Sequence, residues 1–162
     1  MSSTKALRLQ MDRLFSEELL TISFKPTKSI FLRDLSTEVK GWLGLNRAVY
    51  SSSGIVLINP VVGVFNPALM KIVDSWTGLK SAQQIAATIA LPLGLLMPDK
   101  SFVAWYFAIN DQYAEIAKES LKSVGTSRQP SADVTVLVKE IVSCVSEYGI
   151  PWMRQLQELE AS

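Results

Sequence analysis

An α+β fold is what this 162-residue sequence predicts: one domain, residues 1–162, with a mostly antiparallel sheet of about five strands and helices mainly on one face. Three observations lead there. Helical periodicity holds near the two ends of the chain but fails between Ile30 and Phe65, where short apolar runs alternate with Gly, Ser, Asn and Pro. The length suits a single core, because a chain of this size buries about 70% of the surface that its unfolded form exposes. No repeat, low-complexity stretch or linker divides it.

Leu7, Met11, Leu14, Phe15 and Leu19 recur along one helical face, with Lys5, Arg8, Asp12, Arg13 and Glu17 around the rest, so an amphipathic helix is expected up to about Phe24. Lys25 and Pro26 end it. Strands are expected at Ile30–Arg33, Val39–Tyr50 and Ile55–Phe65, the last two joined as a hairpin through Ser51, Ser52, Ser53 and Gly54. Pro60 cannot donate to a ladder, so a bulge or an edge is expected near Asn59 and Pro60. Asn66 followed by Pro67 is a helix start, and a helix to about Trp76 should bury Leu69, Ile72, Val73 and Trp76.

Thr77–Gln84 reads as loop or a short helical turn. Two nearly all-apolar strands, Ala86–Leu91 and Phe102–Ile109, should be central or covered on both faces, with Met97–Lys100 turning between them. Asn110 caps a helix bearing Tyr113, Ile116, Ala117, Leu121 and Val124, which Gly125 stops. Asp133 caps another with Val134, Leu137, Val138, Ile141, Val145 and Tyr148 in line. Gly149 should end that helix, and Pro151 should open a last one through Leu159.

Composition narrows function more by exclusion than by signature. There is no histidine, the usual general base, proton shuttle and zinc ligand, and the single cysteine, Cys144, falls on an apolar helical stripe beside Ile141 and Val145. A reactive thiolate needs exposure and a cationic neighbour, so Cys144 reads as buried and quiet. Metal-assisted and nucleophilic hydrolysis are disfavoured, and no cofactor, metal or catalytic residue is expected. Asp34 with Glu38, and Asp111 with Glu115, are four apart, but turn and helix N-terminus preferences explain each pair. Ser51–Gly54 lacks the spaced glycines and the Lys of a phosphate-binding loop.

Sixteen basic side chains face fifteen acidic ones, a net charge of +1, so no overall field gathers nucleic acid or anionic membrane. Arg8, Arg13, Lys25, Lys28, Arg33, Lys40 and Arg47 make the best case for nucleic acid, but acidic residues interleave them and no aromatic stacking pattern accompanies them. The apolar run Ile85–Met97 is broken by Pro92 and Gly94 and falls short of the roughly 20 residues that span a bilayer. With one Cys and no signal-like start, a cytoplasmic location is expected.

A hydrophobic content of 48% with only 19% charged residues, by contrast, leaves apolar surface for a partner. Alternation along Val39–Asn46 sets Val39, Gly41, Leu43 and Leu45 on one face and Lys40, Trp42, Gly44 and Asn46 on the other. If that parity holds, Trp42 is an aromatic anchor on a polar face, with Lys40, Arg47 and Tyr50 beside it, which is the composition of a binding hot spot. If the strand shifts at a glycine bulge, Trp42 is buried instead. Trp76, Trp105 and Trp152 read as core.

The segment Tyr148–Met153, a helix closing on Gly-Ile-Pro-Trp, follows a strand and helix of the form AWYFAINDQYAEIAKESL. In this it resembles small bacterial α+β domains, many of them thought to be immunity proteins encoded beside polymorphic or secretion-delivered toxins. The resemblance implies a protein without chemistry of its own that binds a cognate toxin or effector domain. The alternatives are an adaptor or chaperone for a secreted protein, using a sheet edge, and a small-molecule-binding protein or carboxylate enzyme with its pocket between sheet and helices.

Overall fold

The computed structural model describes residues 3–50, 54–98, 100, 104–122 and 128–161. Helix α1 (Ser3–Leu20) is followed by β1 (Lys25–Thr27), β2 (Ile30–Asp34), β3 (Lys40–Gly44), β4 (Arg47–Tyr50), β5 (Ile55–Ile58) and β6 (Val61–Phe65). Then come α2 (Pro67–Thr77), the short α3 (Ser81–Gln84), β7 (Ile89–Pro92), a 3-10 turn at Leu93–Leu96, and β8 (Trp105–Ala108). Helices α4 (Asp111–Ser120), α5 (Val134–Cys144) and α6 (Ile150–Ala161) complete the chain, the last two joined by a π-helical turn at Val145–Gly149.

The α+β class with an antiparallel sheet holds, and the strands divide between two sheets. The larger has the order β1-β2-β3-β6-β7 and the smaller β4-β5-β8, and neighbouring strands in both pair antiparallel. The two long strands expected at Val39–Tyr50 and Ile55–Phe65 each break in the middle and change sheet. Asn46 turns the first with a left-handed backbone, φ 48°, and Pro60 removes a ladder donor from the second. Because Gly44 pairs with Val61 and Arg47 with Ile58, both breaks fall at one level and form one corner. The hairpin itself forms as expected, although its tip, Ser51–Ser53, lies outside the described residues.

Parity holds through β3. Phe31, Leu43 and Val62 stand opposite one another across three strands and all face the core. Leu32, Trp42, Gly63 and Ala90 form the neighbouring row on the outer face. The core between the sheets and helices takes Met11, Phe15 and Leu19 from α1, Leu137, Val138 and Ile141 from α5, and Met153 from α6. Phe15 meets Phe107 of β8 edge to face, ring centroids 6.2 Å apart. Helix α4 lies on the opposite side of the smaller sheet, where Ala114 packs with Ile55 and Ala108. All three expected N-caps form: Asn66, Asn110 and Asp133 accept from the amides of Leu69, Tyr113 and Val136.

Three expectations are corrected. Strand β7 is an edge strand with Ile89 and Ala90 exposed, whereas β8 is buried on both sides as expected. Gly149 does not stop a helix: Ile150 donates to Val145 O, five residues back, and the π-turn carries the helix on into α6. That wider turn accommodates Pro151, which has no amide to donate and would crowd an ordinary turn. The helix also buries Met153 fully and Trp152 only partly, so Met153, packed under Gly41, is its anchor.

Candidate functional site

Residues 66–88, between the paired strands β6 and β7, fold back over the outer face of the larger sheet. Phe65, outward by its register with Lys40, is buried beneath them. Asp74 holds their elbow by accepting from the amides of Ser81 at 2.9 Å and Ala82 at 2.8 Å. The bonds from Ala82 and Ser81 keep its carboxyl below the usual carboxylate range. At the far end Ile85 takes a left-handed backbone, φ 56°, and its carbonyl accepts from Trp42 Nε1 at 2.8 Å. Trp42 therefore lies on the outer face as its parity requires, but half-buried, with its indole ring folded over Gly44.

Beside Trp42 an open groove of about 830 Å³ runs between α1, the β1–β2 turn and the corner after β3. Arg8, Asp12, Lys28, Trp42, Asn46 and Arg47 line it, over a floor that includes the buried Phe15 and Phe31. Arg47 bonds Asp12. Lys28 donates to Gln83 O at 2.5 Å and so ties the β1–β2 turn to α3.

Of the residues singled out from sequence, Trp42 and Arg47 thus share one groove. Lys40 sits at the other end of β3 in a 2.6 Å ion pair with Asp34, whose carboxyl that bond holds below its ordinary range. Tyr50 ends β4, and its side chain lies outside what is described. Arg33 turns inward and donates to Ile22 O, so the basic residues of the first fifty do not form one surface. Burial, and then the neighbouring Arg154, lower its pKa. Cys144 is buried, and burial pushes its thiol up.

Sequence reasoning missed a second feature. Helix α2 turns Met70 inward and leaves Leu69, Ile72 and Trp76 exposed at 40%, 50% and 83%, with Leu79 at 62% just beyond its C-cap. The reading that placed Trp76 in the core is wrong. Leu69, Ile72 and Trp76 form one apolar stripe, and their spacing identified that stripe without saying whether it met the rest of the chain or solvent. Arg8 and Lys28 were also missed as groove residues, since only the fold brings α1 to the β1–β2 turn.

No group of three or more His, Cys, Asp or Glu among the described residues is placed to hold a metal, and no helix among them is long and apolar enough to cross a membrane. Compared with family models, curated proteins and solved structures, the chain matches none.

Proposed function

We propose that this chain is a non-catalytic protein-binding domain of the immunity type, which neutralises a cognate bacterial toxin by covering or wedging its active site. The observation that carries the reading is the exposed ridge of Leu69, Ile72, Trp76 and Leu79. An exposed Trp flanked by aliphatic side chains is the composition of an interface centre and costs solubility unless a partner covers it. Trp42 and Arg47 in the adjoining groove extend the surface, with Lys40 and Tyr50 farther along the same strands.

The test is co-expression with a toxin-like domain encoded next to this gene. Protection is expected from the native chain and loss of protection from Trp76→Ser with Ile72→Ser. Their unfolding free energy should stay within about 0.5 kcal/mol of the native protein's, because exposed positions contribute little to folding. Full protection by the double variant would remove the ridge from the binding surface. The adaptor reading rests on the exposed edge strand β7, to which an extended segment could add. It requires instead that an unfolded, secreted polypeptide bind and that Ile89→Pro abolish the binding.

A further inference from the structure

We propose that the groove between α1, the β1–β2 turn and the corner after β3 binds an extended acidic segment of a protein partner. Its lining carries three cations, Arg8, Lys28 and Arg47, against one anion, Asp12. Arg47 and Asp12 offset each other. Arg8, exposed on α1, makes no ion pair or hydrogen bond among the described residues. Lys28 donates to a backbone carbonyl, which leaves its positive charge uncompensated. Two successive elements, α1 and the β1–β2 turn, therefore present unmatched cations to one concavity, with the half-buried Trp42 in the same lining as an apolar contact.

The shape selects the occupant. A volume of about 830 Å³ holds several residues of chain, given that one water takes about 30 Å³. A flat bilayer cannot enter a groove. Nucleic acid would require a longer row of cations, since each neutralised phosphate needs its own. A segment in extended conformation points successive side chains to opposite sides, so neighbouring carboxylates can meet Arg8 from α1 and Lys28 from the β1–β2 turn while the chain passes Trp42.

Lys28 also has a left-handed backbone, φ 56°, where glycine would turn the chain without strain. Lys28→Gly therefore removes the charge and the bond to Gln83 O while relieving the backbone, and Arg8→Gln removes a charge that makes no such bond among the described residues.

The inference stands on the groove alone, so it and the ridge can fail separately. The experiment titrates the full chain into fluorescein-labelled hexaglutamate and follows anisotropy, with hexaglutamine and an oligothymidylate as comparisons. Hexaglutamate should bind, and more weakly as salt rises, because screening shortens to about 10 Å at 0.1 M. Arg8→Gln with Lys28→Gly should lower its affinity about tenfold, the scale of two lost charge contacts. Trp76→Ser should leave it unchanged. Should the double variant fold poorly, Arg8→Gln alone, exposed on α1, is expected to lower affinity about threefold. The proposal is overturned if hexaglutamate does not bind, if hexaglutamine binds equally well, if the variants keep full affinity, or if oligothymidylate binds more tightly.

Discussion

The two faces of the larger sheet are closed in different ways. The inner face is covered by α1, α5 and α6, and its residues Phe31, Leu43, Val62 and Val64 are buried against apolar stripes. The outer face is covered by one excursion of 23 residues, tied to the strands by polar contacts from Trp42 and Lys28 and held at its own elbow by Asp74. Burial of large apolar side chains closes the first face and hydrogen bonds position the cover of the second. The first should therefore carry stability, and the second can carry recognition. The ridge lies on the second, and the groove opens at the end of the sheet between α1 and Trp42, where the two faces meet.

Breaking the inner face has the largest expected effect. Phe15→Ala removes a fully buried ring in contact with Phe107 and should cost about 3–5 kcal/mol, read as a lowered midpoint in urea. Next is Gly63→Ala at the junction of β6 and β7, where a Cβ would come within 2.0 Å of Ile89 O. Backbone cannot move aside as a side chain can, so about 3 kcal/mol is expected, with β7 released first in amide exchange. A variant of Gly63 as stable as the native chain would mean that β7 is not docked.

Away from the backbone packing at Gly63, the effects on the outer face are smaller. Trp42→Phe keeps an aromatic ring but leaves Ile85 O without its donor, and about 1 kcal/mol is expected. A loss as large as that of Phe15→Ala would erase the distinction between the faces. The smallest effect concerns Asp74 and pH. Its folded pKa lies below the unfolded value of about 3.9. Its contribution is therefore complete above that value and lost as pH falls through the lower folded one. Acid should thus loosen the elbow of α2 and α3, and the fluorescence change that reports it should be absent from Asp74→Asn.

Strand parity, helix caps and the apolar stripes of α1 and α5 were legible in the sequence, because each depends on residues within about one or two turns of one another. Asn66, Asn110 and Asp133 cap as read, Trp42 shares a face with Lys40, and Cys144 is buried. What required the tertiary structure was the choice between equivalent local solutions. Helix α2 has one apolar stripe, and only the fold decided that Met70 would turn in while Leu69, Ile72 and Trp76 stayed exposed. Gly149 could cap a helix or continue it; the packing of the turn, with the Cβ position of Gly149 3.4 Å from Val62, accompanies continuation. Likewise no periodicity could reveal that two long strands bend at one corner, or that Arg8 of the first helix faces Lys28 across a groove. Local patterns state which surfaces must be buried, and the partner each surface finds is fixed by contacts between residues distant in the chain.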